Sequence, residues 1–428
     1  MPARQYNEFI VNQRPIGVDL FAGAGGLSLG FAWAGFDVRA AVEYDPIHCA
    51  THAFNFPKCS AICRSVSDID GDYIREHSSI GDARVEIVFG GAPCQGFSLI
   101  GKRSLADPRN HLVFDFLRLV CDLDANYFVF ENVKGLTVGQ HRQFLDELVE
   151  EFHKSGYQVR LPYDVLNAAE FGVPQERHRL FLLGAKNGLP LPEYPEQSHN
   201  PKRLSNGNTL PFTPTVWDAI GDLPEIEQFE ELQDRDWVLA KFKTPSNYAR
   251  LLRQESDGRS RAILTSSLRT VHTELSMDRF SGTAPGEVEP ISRFHKLNPS
   301  GSCNTIRAGT ASDRGAFTSP RPIHPYKPRC ITVREAARLH SYPDWFRFHV
   351  TKWHGFRQVG NSVPPLLARA VASEVWRTLG LRRRPLQPLK QFGEADPMLL
   401  EFNMSEAAAY FQVPKDVIPA RQRMDGAA

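Results

Sequence analysis

Residues 16 to 45 constrain this chain more than any other stretch. Ile16, Val18 and Leu20 begin an apolar strand, Gly23-Ala24-Gly25-Gly26 turns the chain, and Leu27 to Ala34 suits a helix that Gly35 ends. Val38 to Val42 supplies the next apolar run. Strand, glycine-rich turn, helix, strand is a βαβ unit and predicts a parallel sheet with helices on its faces. Such a turn lets backbone approach a ligand closely and aims helix N–H groups at it. The spacing is not G-x-G-x-x-G and no Lys-Ser/Thr follows, which disfavours the common dinucleotide and phosphate loops. Asp19 lies at the end of the first strand and Glu43 closes the second. An acid at the second position can accept hydrogen bonds from both ribose hydroxyls of an adenosine-type ligand. A purely structural turn is the alternative.

Further strands are expected at 85–90, 126–130 and 178–184, with helices at 111–122 and 140–155, where Phe144, Leu148 and Phe152 recur every four residues. The fold class is therefore α/β, a doubly wound, mostly parallel, Rossmann-like sheet in a first domain of residues 1–187. After Lys186 prolines cluster at 190, 192, 195, 201, 211 and 214, and residues 188–328 read as a smaller, loop-rich domain. Helical patterning returns at Val333–Ser341 and Pro365–Leu379, the second long and apolar enough to pack on the first domain's sheet. Residues 329–380 thus rejoin the first domain. Residues 381–428 differ in character, opening on Arg382-Arg383-Arg384 and holding a short helical candidate, Ser405–Phe411. They read as a capping or partly disordered tail.

Composition narrows the setting. The 428 residues are 42% hydrophobic and 23% charged, ordinary for a globular protein. No run of eighteen apolar residues suggests a membrane span, and the N-terminus lacks the apolar core of a secretory signal, so a cytoplasmic protein is expected. Seven scattered cysteines fit a reducing compartment. Cys59 and Cys63 lack the second ligand pair that a zinc site needs, so no metal is expected. The net charge of +1 conceals a segregation: Lys241 to Arg329 holds fifteen Lys or Arg against seven acids, whereas Asp222 to Asp236 holds seven acids and one Arg. A basic segment of this kind suits a phosphate-facing surface.

Three segments carry chemistry. In GGAPCQGFS, residues 90–98, four glycine and proline positions hold an irregular backbone around Cys94 at the carboxyl end of a predicted strand, where such sheets place ligands. That setting suits a nucleophile whose thiolate is stabilised by neighbouring donors. FENVKG, residues 130–135, brings Glu131 to the same edge, where a carboxyl group could protonate or hold a substrate ring. VPQERHRLFLLG, residues 173–184, sets Arg177 and Arg179 two apart, so that alternation puts both on one face and at least one toward Glu131.

These segments resemble the cytosine-5 DNA methyltransferase family over most of residues 16–185 and 328–376. The resemblance implies that S-adenosylmethionine is the cofactor. It places Asp19, Phe21, Gly23, Gly25, Gly26, Leu27, Glu43, Tyr44, Asp68, Pro93 and Leu112 around that cofactor, with Asp68 near the adenine amine. Pro93-Cys94-Gln95, Glu131-Asn132-Val133 and Gln175-x-Arg177-x-Arg179 match the family's catalytic motifs. VREAARLHSYPDWF (333–346) and GFRQVGNSVPPLLARAV (355–371) match its last two, with Asn361 and Ser362 closing the cofactor pocket. Cys94, Gln95, Glu131, Arg177 and Arg179 are thereby the expected catalytic set.

The resemblance further implies that double-stranded DNA is the partner and that residues 188–328 are the target-recognition region. A target cytosine must leave the duplex to be reached. Residues 98–110, with Ser98, Lys102 and Arg103, read as a basic lid over such a base. Arg259, Arg261, Arg269 and Arg307 are candidate DNA contacts in the basic segment. A monomer on DNA in a prokaryotic, nucleoid-associated restriction-modification or defence system, with a cognate nuclease nearby, is the expected setting. Two other readings stay open: a tRNA cytosine-5 methyltransferase, and an inactive member that only binds nucleic acid.

Overall fold

The computed structural model describes residues 14–93, 111–201, 209–253, 262–308, 321–382 and 395–417. The chain begins β1 (Ile16–Leu20), α1 (Gly26–Ala34), β2 (Asp37–Glu43), α2 (Pro46–Asn55), β3 (Ser60–Cys63), α3 (Gly71–Glu76) and β4 (Val85–Gly90). It continues through α4 (His111–Asp122), β5 (Tyr127–Val133), α5 (Gln140–Lys154), β6 (Tyr157–Val159), β7 (Asp164–Asn167) and β8 (His178–Lys186). These strands form one sheet in the order β3-β2-β1-β4-β5-β8-β6, with β7 also paired to β8. Neighbours from β3 to β5 are parallel, and β8 runs antiparallel to β5, β6 and β7.

Both faces of the sheet are covered, which is why β4 and β5 are apolar at consecutive positions. Ile87, Phe89, Tyr127 and Val129 enter one core, and Val88, Phe128 and Phe130 enter the other, with the two-residue period of a strand. On the first face Phe31 stacks on Phe89 with ring centroids 3.7 Å apart.

The insert after β8 contains α6 (Val216–Ile220), β9 (Val238–Ala240), α7 (Asn247–Leu252), β10 (Ala262–Leu264) and α8 (Glu274–Gly282). β9 and β10 pair antiparallel. Its apolar residues Val216, Ile220, Leu232, Tyr248 and Leu297 belong to the same buried cluster as Phe89 and Val129, so its core is continuous with that of the sheet.

Part of the charge segregation seen along the sequence is offset in space among the described residues. Lys243 and Lys327 pair with Glu225 at 3.1 and 3.0 Å, Arg253 lies 3.4 Å from Asp222, and Arg329 is held by Glu227 and Glu335. The acidic stretch therefore neutralises several of the cations that suggested a phosphate-facing surface, and Lys296 is buried with its ammonium on the Phe280 carbonyl.

The return consists of α9 (Val333–Leu339), α10 (Lys352–Asn361) and α11 (Pro365–Thr378), followed by α12 (Met404–Tyr410). α11 packs chiefly on α1 rather than directly on the sheet. Gly30 is what admits it: a Cβ there would sit 2.3 Å from the Ala368 Cβ and 2.7 Å from the Arg369 nitrogen. The described part of the tail, residues 395–417, packs on the first domain. Leu399 and Leu400 are buried against Ala50 and Phe54 of α2.

Candidate active site

The turn after β1 holds three residues with positive φ: Phe21 (60°), Gly23 (56°) and Gly25 (101°). Glycine tolerates this conformation and phenylalanine does so at a cost, so the half-buried Phe21 is held there by its surroundings. A Cβ built on Gly23 would meet nothing within 4 Å, so there is open space above the turn. Glu43 at the end of β2 faces this space with its carboxylate already fixed. One oxygen accepts from Gly23 N at 2.8 Å and the other from Tyr44 N and Asp45 N, both at 2.9 Å. Tyr44 beside it is exposed.

The second half of the chain closes the turn from the other side. A Cβ on Gly26 would lie 2.5 Å from the Val363 carbonyl, 2.8 Å from Tyr342 Oη and 2.9 Å from Ser362 Cβ. Only glycine allows α1 to start in contact with this segment. Asn361, exposed, and Ser362, half-buried, sit at the end of α10. Asp68 is exposed after β3, and Leu112 and Phe21 pack against the same apolar cluster. Leu27 is buried in α1.

Asp19 departs from the sequence expectation. It is fully buried beneath the turn, and its Oδ2 accepts from Ser28 N at 3.0 Å and Ser28 Oγ at 2.6 Å. Ser28 Oγ lies 3.0 Å from His52 Nε2. The carboxyl group thus supports the first turn of α1 from below instead of lining the open space. Burial pushes Asp19 up to about 8, against the two hydrogen bonds from Ser28, and burial pushes His52 down to about 3.

The folded chain therefore keeps the Asp19 proton in a range where the unfolded chain has lost it. The associated stability is fully present below the usual aspartate pKa and is lost as pH rises through about 8. Asp19→Asn is expected to remove this slope. Its stability relative to wild type should rise between pH 6 and 8.5 by at most about 1.4 kcal/mol per pH unit. Thermal melting across that range is the check, and a constant difference would exclude a raised Asp19.

Glu131 and Arg179 meet at the carboxyl edge of β5. In the β5–β8 register Glu131 faces Phe181 and Val133 faces Arg179, so the two side chains are diagonal neighbours across an antiparallel pair. Arg179 Nε lies 2.8 Å from Glu131 Oε1, and both side chains are about nine-tenths covered, at 13% and 12% exposure. Burial raises the Glu131 pKa, while Arg179 and then Arg177 oppose the rise. A Cβ on Gly91 would lie 2.3 Å from Glu131 Oε2, and Asn132 Nδ2 donates to the Ala92 carbonyl at 3.2 Å. The backbone leading to Pro93 therefore passes directly over the carboxylate.

Cys94, Gln95, Ser98, Lys102, Arg103, Arg259 and Arg261 lie outside the described residues. Arg269 is half-buried and Arg307 exposed.

Arg177 behaves differently from Arg179, although its charge also acts on Glu131. It is fully buried and donates to the carbonyls of Ile306 at 2.9 Å, Gly360 at 2.7 Å and Ser362 at 2.8 Å. Gln175, equally buried, accepts from Ile306 N at 2.9 Å and places its amide 2.9 Å from His340 Nδ1. His340 Nε2 in turn lies 3.0 Å from the Ser362 carbonyl. Sequence reasoning missed His340, and no local signal marks it, because its partners are distant in the chain. The pair of segments it joins bears on both halves of the site.

Comparison with known proteins places the chain among relatives of one kind. The family profile for C-5 cytosine-specific DNA methylase matches residues 17–377. The type II methyltransferase M.XorII of Xanthomonas oryzae pv. oryzae is 60% identical over 96% of this chain and 95% of its own length. The type II methyltransferase M1.HphI of Haemophilus parahaemolyticus is 36% identical over 84% and 86%. Among solved structures, a prophage-encoded E. coli protein assigned as a DNA modification methyltransferase superposes with a TM-score of 0.68 at 33% identity. That match covers 86% of this chain and 99% of the E. coli one.

Proposed function

The chain belongs to the C-5 cytosine-specific DNA methylase family, and on that premise we propose that it is a DNA (cytosine-5-)-methyltransferase acting on a specific duplex sequence within a restriction-modification or related defence system. The observation that carries this reading is the covered Glu131–Arg179 pair at the carboxyl edge of the sheet, with Gly91 against it and the Pro93-Cys94 sequence following.

The residues around the glycine-rich turn fit an adenosine-bearing sulfonium. The open space over Gly23, the fixed Glu43 carboxylate and the exposed Tyr44 suit S-adenosylmethionine, with Asn361 and Ser362 on the opposite side. When bound, this cofactor supplies an electrophilic methyl group. Phe21, Gly25, Gly26, Leu27, Asp68, Pro93 and Leu112 complete the proposed pocket, and Asp19 contributes from beneath it.

The protein's own residues prepare the cytosine. Its C5 is too weak a nucleophile until a thiolate adds at C6, the role of Cys94. As negative charge builds on the ring, Glu131 supplies a proton at N3, which a raised carboxyl pKa favours. Arg179 holds Glu131 in place and hydrogen-bonds the base carbonyl. After methylation at C5, loss of the C5 proton expels Cys94 and restores the aromatic ring. Arg177 and Gln175 position this edge, Gln95 flanks the nucleophile, and Ser98, Lys102 and Arg103 belong to the proposed lid. Arg269 and Arg307, with Arg259 and Arg261, are proposed contacts to DNA phosphates. A monomer acting in a prokaryotic cytoplasm on nucleoid DNA, alongside a cognate nuclease, completes the proposal.

Bisulfite sequencing of DNA from cells expressing the chain tests it, together with methyl transfer in vitro to duplex DNA and to tRNA. Protected cytosines in one sequence context are the expected result. Label appearing in tRNA alone would replace DNA as the substrate, and label in neither would make the chain a binding protein.

A further inference from the structure

Residues 395–411 lie outside the family match, which ends at 377, yet they are seated on the elements that build the cofactor side of the site. We propose that residues 395–411 brace the cofactor pocket from behind, with His349 as the positioning residue that passes their contact to Asn361 and Ser362. The inference rests on the cofactor pocket assigned above.

The seat is apolar and specific. Leu400 is fully buried and Leu399 nearly so, both against Ala50 and Phe54 on α2. The next helix, α12, starts with a capping box in which Asn403 and Glu406 satisfy each other's backbone N–H groups, so the tail is locally well specified.

Two hydrogen bonds then tie the tail to the segment preceding α10. Val350 N donates to the Leu400 carbonyl at 3.0 Å, and His349 Nε2 donates to the Phe402 carbonyl at 3.0 Å. The imidazole is held at both ends. Its Nδ1 accepts from Thr351 N at 3.1 Å and lies 2.9 Å from Thr351 Oγ1, which makes Nε2 the protonated nitrogen. Thr351 is the residue from which α10 begins.

The same short segment is stitched to α2. His349 N donates to Gln358 Oε1 at 3.0 Å, and Gln358 Nε2 reaches Thr51 Oγ1 at 2.8 Å. Asn55 bonds both the nitrogen and the carbonyl of Arg347. Arg357 on α10 lies 3.6 Å from Asp45, the N-cap of α2 and the neighbour of Tyr44. The two ends that flank the proposed cofactor are the start of α2, with Glu43 and Tyr44, and the end of α10, with Asn361. Residues 347–351 hold the far end of α2 at Asn55 and, through Gln358, its middle at Thr51; they lead directly into α10, whose Arg357 reaches Asp45 at the start of α2, and they are themselves fixed to the tail. Removing the tail exposes Ala50 and Phe54 and leaves the His349 Nε2 proton without its carbonyl.

The test compares the full chain with a chain ending at Gly393, and with Leu400→Ala, His349→Ala and His349→Gln in the full chain. Binding of S-adenosylhomocysteine is measured by calorimetry, duplex DNA binding by fluorescence anisotropy, and folding by thermal melting. Loss of cofactor affinity of about tenfold or more is expected for the shortened chain. A several-fold loss is expected for Leu400→Ala, with DNA affinity within about twofold of the full chain. His349→Gln, which keeps a donor for the Phe402 carbonyl, should lie closer to wild type than His349→Ala.

Leu400→Ala carries the same comparison should the shortened chain fail to fold. A folded variant with unchanged cofactor affinity would overturn the proposal, as would equal losses toward cofactor and DNA. A full chain that does not bind S-adenosylhomocysteine would overturn the cofactor assignment itself, and the brace with it.

Discussion

Cys94→Ala is expected to abolish methyl transfer while leaving the fold and the binding of duplex and cofactor nearly intact. In enzymes that form a covalent intermediate, removal of the nucleophile costs on the order of 10⁴- to 10⁶-fold in kcat. The loss belongs to the chemical step, because a thiol adds little to affinity for either ligand. Single-turnover transfer of labelled methyl groups measures it. The positive counterpart is a duplex carrying 5-fluorocytosine at the target: with no C5 proton to lose, the Cys94 adduct should persist and migrate as a covalent complex on a denaturing gel. A Cys94→Ala variant with wild-type turnover would remove the covalent mechanism from consideration, whatever the substrate.

Glu131→Gln is expected to lower kcat by about 10²- to 10⁴-fold, the range general acid catalysis supplies. Glutamine keeps the shape and a hydrogen bond to Arg179 but has no proton to give. Burial raises Glu131, with Arg179 and Arg177 opposing, so the wild-type carboxyl group holds a proton to higher pH than an exposed glutamate. The folded protein then retains that proton where the unfolded chain has lost it, so substitution should not destabilise the fold as pH rises. The variant should also lose the part of the pH–rate profile that reports this group. Equal kcat in the two proteins, or an unchanged profile, would exclude Glu131 as the proton source. Thermal melting alongside separates a chemical loss from a collapse of the edge.

The sheet was readable because its central strands are mostly apolar and its helices carry the 3.6-residue period. β4 and α4 fall where the patterning places them, and β5, β8, α5, α9 and α11 differ by a few residues at their ends. α2 went unread even though Asp45 and Pro46 are a capping residue and a first-turn proline, because its apolar stripe includes His48, His52 and Asn55, all buried. β6 and β7 were missed for a different reason. At three and four residues they are too short to show alternation, and pairing with β8 defines them.

Within the site, the proximity of Glu131 and Arg179 followed from strand ends and side-chain alternation. The distinct work of Arg177 did not, since its three carbonyl partners come from residues 129 to 185 positions away. The ion pairs within the basic segment were hidden for a similar reason. Charge counted along a chain ignores the acids that folding brings alongside, and Asp222, Glu225 and Glu227 are such acids here.

One guanidinium, that of Arg177, grips the irregular segment at Ile306 and the end of α10 at Gly360 and Ser362. Residues 303–308 thereby count as fixed masonry, although they lie inside the region proposed to read the target. Anyone exchanging recognition segments between relatives to redirect such a protein would have to place the seam upstream of Cys303. A junction inside that stretch would replace the mortar along with the window.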